Sequence, residues 1–107
     1  MDNKELLLEA IDNYDVYRLP GKNILKALVA ASKKDNTVHI SIKSLSELSK
    51  VSRQGVYNTL RYLEADKIIE RNKDHKLTIF ILNVTELEKI VDYYNTLKTA
   101  KTILKKT

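Results

Sequence analysis

The 107-residue chain contains no cysteine and no tryptophan, a single proline, a single phenylalanine and only two glycines. The lack of cysteine excludes disulfides, thiolate metal sites and thiol nucleophiles together. So little proline and glycine favours long regular elements joined by short connections. No apolar run approaches the roughly 20 residues needed to span a bilayer. Residues 1–9 carry acids and lack the basic, apolar and small-residue succession of a secretion signal. These absences predict a cytoplasmic protein with no membrane partner.

Hydrophobic residues make up 43% of the chain and charged residues 31%, the balance of an ordinary globular protein rather than a disordered one. A chain of this size buries roughly 65% of its unfolded surface, enough for one independent core. The net charge of +5 is unevenly spread. Residues 1–15 hold five acids and one lysine, residues 16–83 hold 13 basic residues against six acids, and residues 84–107 hold five lysines against three acids. The middle of the chain is therefore the basic part, and a localised positive field suits a polyanionic partner.

Periodicity divides the chain into eight elements. Residues 2–17 have helical spacing, with Leu7, Ile11 and Tyr14 on one side and an Asp2/Glu5 capping pair. Leu19-Pro20-Gly21 reads as a break. A second helix over residues 22–34 carries Ile24, Leu25, Leu28 and Ala31, with Lys33 and Lys34 complementing its C-terminal dipole. Residues 37–42 alternate as a strand, and Ser44 with Glu47 form a capping box for a short helix over 45–50. Ser52 is suited to cap a longer helix reaching about residue 66. A strand over 68–71, a polar turn over 72–76 and a strand over 77–82 follow. A Thr85/Glu88 capping box then opens a final helix.

The helix after Ser52 carries the functional signal. At 100° per residue, and with Val56 set at zero, Leu60 falls near 40° and Leu63 near −20°, forming a buried face. Gln54, Asn58 and Arg61 fall between about 140° and 200°, the opposite face, with Arg53 and Tyr57 on a shoulder. Arginine can bind guanine in bidentate fashion, and Gln or Asn can do the same for adenine. Residues 52–62 contain Arg53 and Arg61 and no acid, whereas a merely solvated helix usually mixes both signs. The first amides of the helix, with Ser52, can hold a phosphate.

Val51-Ser52-Arg53, Val56, Leu60, Leu63-Glu64 and Ile68-Ile69 resemble the recognition-helix stretch of bacterial winged-helix regulators of the GntR and MarR type. Those families show a Val-Ser-Arg-x-Thr-Val start, a Leu-x-x-Leu-Glu middle and a Gly-Leu-Ile end. The close match covers about a quarter of the chain. The element order agrees over residues 23–82. Gly55 stands where these families have threonine, and Lys67 where they have the glycine that turns into the wing. Lys67 is accordingly expected to adopt an uncomfortable backbone conformation.

The resemblance implies a mainly α (α+β) fold: a winged helix-turn-helix domain over residues 20–82, with an added N-terminal helix over 1–19 and a C-terminal helix over 83–107. It implies double-stranded DNA as the partner. Ser52, Arg53, Gln54, Tyr57, Asn58 and Arg61 would lie in the major groove, with Arg71, Lys73, His75 and Lys76 in or beside the wing. Leu87, Ile90, Tyr94, Leu97 and Leu104 form a heptad-like stripe that predicts a homodimer with both terminal helices in the interface, the alternative being packing within the chain against the acidic first helix. Two recognition helices would then meet half-sites about 34 Å apart on a palindromic operator.

Catalysis is not expected. His39 and His75 lie on a strand and a turn without partners at metal-ligand spacing, and no glycine-rich phosphate loop is present. No cofactor, metal or small-molecule effector is indicated. Two other readings share the fold: a plasmid or phage replication initiator or partition factor, and a winged helix that binds protein instead of DNA.

Overall fold

A computed structural model describes residues 3–74 and 77–106. Its elements run α1 (Lys4–Asp12), α2 (Leu19–Ala31), β1 (Thr37–His39), α3 (Ile42–Ser49), α4 (Arg53–Ala65), β2 (Ile69–Asp74), β3 (Leu77–Leu82) and α5 (Val84–Lys106). The order is the expected one, and the strands form an antiparallel sheet in the order β1-β3-β2. Arg71 lies opposite Phe80 and His39 opposite Ile79 in its register.

Several boundaries differ from the sequence reading because a polar side chain intervenes. α1 is capped by Asn3, whose Oδ1 accepts from the Leu6 amide at 3.0 Å, and Asp2 of the expected pair lies outside the described residues. The helix stops at Asp12 instead of running to Tyr17, because Asn13 Nδ2 donates back to the Glu9 carbonyl and Lys22 Nζ donates to that of Asp12. Pro20 does not break the chain. It sits in the first turn of α2, where its missing N–H would have had no helical partner. α2 ends at Ala31, so Lys33 and Lys34 lie beyond it. The cation at its C-terminus is Lys4, which donates to the Ser32 carbonyl at 2.7 Å.

β1 is shorter than the alternating pattern implied. Ser41, not Ser44, caps α3 by accepting from the Ser44 amide at 3.0 Å, which turns Ile42 into helix. α5 is likewise capped by Asn83, whose Oδ1 accepts from the Glu86 amide at 3.3 Å, in place of the expected Thr85/Glu88 box. Between α2 and β1, the Asp35 carboxylate accepts from both the amide and the hydroxyl of Thr37. Those bonds hold its carboxyl below the usual value.

One apolar cluster unites the elements. Leu7, Ala10 and Ile11 of α1, Ile24, Leu25, Leu28 and Val29 of α2, Val56, Leu60 and Leu63 of α4, Phe80 of β3, and Leu87 and Ile90 of α5 are all buried in it. α5 packs chiefly on α1, while α4 rests on α2, α3 and β2.

Candidate nucleic-acid interface

Ser52 Oγ accepts from the Gly55 amide at 3.1 Å and fixes the start of α4, as its position in the sequence implied. Val56, Leu60 and Leu63 are fully buried, joined by Thr59, which the angular reading had not singled out. This burial orients the rest of the helix. Arg53, Gln54, Tyr57, Asn58 and Arg61 are all exposed along its outer side. Gln54 Nε2 donates to Asn58 Oδ1 at 3.1 Å, which aligns two amide side chains one helical turn apart. Arg53 and Arg61 form no ion pair among the described residues.

Gly55 has a steric explanation. A Cβ there would lie 2.7 Å from Val51 Cγ1 and 3.3 Å from Ser52 Oγ, so a side chain at this joint between α3 and α4 would force the Val51 side chain to shift. The other end of α4 closes in a left-handed turn at Lys67, with φ 62°. The Lys67 amide donates to Glu64 and that of Ile68 to Leu63, the paired bonds of a Schellman cap. The strained lysine expected from the missing glycine is therefore present.

Arg71 is not a free wing cation. Its Nε and Nη2 both donate to Glu64 Oε1, at 2.8 and 2.6 Å, and its guanidinium lies 6.0 Å from the centre of the Phe80 ring. The side chain is only 14% exposed, so Arg71 ties the wing to α4 and does not face solvent. Alternation could have revealed this, since Arg71 shares a strand face with buried Ile69. Lys73 lies on β2 but its side chain is outside the described residues, as are His75 and Lys76 altogether. Lys43, in the first turn of α3, and Lys50, at the joint before α4, are exposed cations that the sequence reading passed over. The signal was available: residues 41–53 hold three bases and one acid.

Helix order, a three-stranded sheet and a hairpin clamped to the second helix of a helix-turn-helix decide the architecture. The chain is a winged helix. Its structure resembles that of MepR, a transcription regulator of the Staphylococcus aureus multidrug efflux pump MepA, with a TM-score of 0.57 at 19% identity over 96% of this chain and 76% of that one. A mutant of S. aureus MepR bound to an oligodeoxyribonucleotide gives a TM-score of 0.61 at 17% identity over 94% and 72% of the two chains. No protein-family model matches the sequence, and no curated protein matches it.

The residues of the C-terminal stripe have different surroundings in this winged helix. Leu87 and Ile90 are 1% and 2% exposed, buried in the same core as residues of α1. Tyr94 is half-buried, and loss of hydration together with Glu9 raises its phenol above the ordinary value. Leu97 is also half-buried, and the side chain of Leu104 lies outside the described residues. No described helix is long and apolar enough to cross a membrane, and among the described residues no three metal-ligating side chains come together.

Proposed function

We propose that this winged helix binds double-stranded DNA sequence-specifically, as a dimeric transcription regulator in the cytoplasm. The observation that carries the reading is the acid-free outer face of α4, where Arg53, Gln54, Tyr57, Asn58 and Arg61 stand exposed. The fold adds support, because a MepR mutant of similar structure is seen bound to an oligodeoxyribonucleotide. In the major groove, Arg61 and Arg53 read guanine edges, and the aligned amides of Gln54 and Asn58 read adenine. Ser52 and the free amides beside it hold a phosphate, and Lys43 and Lys50 add backbone contacts. Lys73, His75 and Lys76 serve the wing, while Arg71 positions it.

The dimer is formed through α5. At 1.5 Å per residue this helix is about 34 Å long, and Leu87 and Ile90 near its start are already buried within the protomer. From Asn95 to Lys101 it is exposed except at Leu97. A bare helical segment of this length is marginal in water, so a second copy lying along Leu97 and Leu104 completes it.

Selection from randomised duplex DNA, with a salt titration of the winning site, tests the proposal. A palindrome with a steep inverse dependence on salt is expected. Tandem sites would assign the same interface to replication or partition, and no binding at low salt would leave a protein-binding module.

A further inference from the structure

Four tyrosines on three parts of the fold make one continuous run of ring contacts. Tyr93 of α5 meets Tyr14 edge to face, with centroids 5.5 Å apart. Tyr14 meets Tyr17 in the same manner, also at 5.5 Å. Tyr17 stacks on Tyr62 of α4 at 5.7 Å, with the planes 27° apart. Tyr14 and Tyr17 both lie in the connection between α1 and α2, so the run crosses from the outer helix to the recognition helix. Gly21 makes room for its last member, since a Cβ there would lie 2.5 Å from the Tyr62 hydroxyl oxygen.

An inner member of the run also makes a hydrogen bond to α4. The Tyr17 hydroxyl donates to Asp66 Oδ2 at 2.8 Å. Asp66 is the C-cap of α4, where the carbonyl end of the helix dipole disfavours a carboxylate. An acid at that place does nothing for the helix by itself, and its partner is a tyrosine only 7% exposed. The core contacts of Val56, Leu60 and Leu63 are non-directional. The ring geometry and the hydroxyl–carboxylate bond have preferred angles, so they constrain how α4 is tilted.

We infer that this tyrosine ladder fixes the orientation of α4 relative to α5, and so sets the separation of the two recognition helices in a dimer. Tyr17 is its central positioning residue and does not itself touch DNA. The inference rests on the dimeric DNA reading above, and two measurements separate its failure from the failure of that reading.

The first compares wild type, Tyr17→Phe and Asp66→Asn on the selected site, on that site with one base pair added or removed between half-sites, and on an isolated half-site. Wild type should prefer one spacing. Tyr17→Phe, which keeps the ring, should lose about tenfold at that spacing, flatten the preference and bind the half-site as wild type does. Asp66→Asn retains an acceptor for the hydroxyl and should keep the preference. Unchanged spacing selectivity in Tyr17→Phe, or equal loss on half-site and full site, overturns the inference.

The second measurement needs no DNA. Hydrogen exchange on the free protein should show faster exchange of the Asp66 and Ile68 amides, which donate to Tyr62 and Leu63, in Tyr93→Ala. That substitution lies at the opposite end of the ladder on a partly exposed residue. If wild type binds no duplex, the DNA reading fails while this exchange still decides the ladder. Wild-type protection at both amides in Tyr93→Ala overturns it.

Discussion

Arg71 donates twice to Glu64, at 2.8 and 2.6 Å, across a turn whose centre is Lys67. The pair joins the first strand of the wing to the last turn of α4, and Phe80 covers it from one side. A cation held in this way links β2 to α4 and is not free to meet a phosphate. Replacing Arg71 by Ala should lower stability by about 1–3 kcal/mol, because Glu64 is left without its partner near the C-terminus of α4. DNA affinity should fall alike for all sequences. Urea unfolding beside DNA titration checks this. A weaker DNA complex with an unchanged urea midpoint would return Arg71 to direct phosphate contact.

Arg61 is the opposite case. It is exposed and has no ion-pair partner among the described residues, so its loss should leave the folded state almost as stable as before. Arg61→Ala should instead weaken binding to the selected site by about 1–3 kcal/mol and relax base preference at one position. Repeating the duplex selection with the variant reads both effects. A uniform loss over all sequences would make Arg61 a backbone contact.

Lys67 keeps a left-handed conformation, φ 62°, that costs a residue with a Cβ roughly 1–2 kcal/mol. Glycine adopts it freely but has more entropy to lose on folding, so part of the gain is cancelled. Lys67→Gly should therefore stabilise the protein by about 1 kcal/mol, visible as a higher urea midpoint with an unchanged slope. A lower midpoint would mean that the lysine side chain contributes more than the turn costs.

Much of this structure was legible because apolar spacing dictates it. Val56, Leu60 and Leu63 define the inner side of α4, and the exposure of Arg53, Gln54, Tyr57, Asn58 and Arg61 on its outer side follows by geometry alone. The order of the elements and the Ser52 cap followed from the same local signals. What escaped were choices among competing polar side chains. Asn3, Ser41 and Asn83 cap their helices where a neighbouring pair looked equally suitable, since such boxes differ by one to three residues and little energy. Arg71 escaped for another reason. Alternation with buried Ile69 marks its inward face, but the charge pattern alone does not reveal that Glu64, seven residues back across the turn at Lys67, holds it. For Leu87 and Ile90 the sequence left two outcomes open, because one apolar stripe serves equally for packing on the first helix and on a second copy, and these two residues are buried in the core with α1.

Tyr17 gives the chain a predictable response to alkali. Burial, and then the bond to Asp66 and its charge, push the phenol well above its ordinary value of 10.0. The native state therefore keeps a proton that the unfolded chain releases above about pH 10. With more protons bound in the native state than in the unfolded one, the free energy of unfolding falls as pH rises. The stabilisation is complete below about pH 10 and is lost above it, with a slope of up to about 1.4 kcal/mol per pH unit for one proton. Tyr94 is raised as well and contributes in the same direction, so the test is a difference. Urea unfolding of wild type and Tyr17→Phe between pH 8 and about pH 11 should show the two curves converging as alkali removes what the hydroxyl contributes. Parallel curves would mean that Tyr17 ionises as easily in the folded protein as in the unfolded chain, and that its bond to Asp66 is not held in solution.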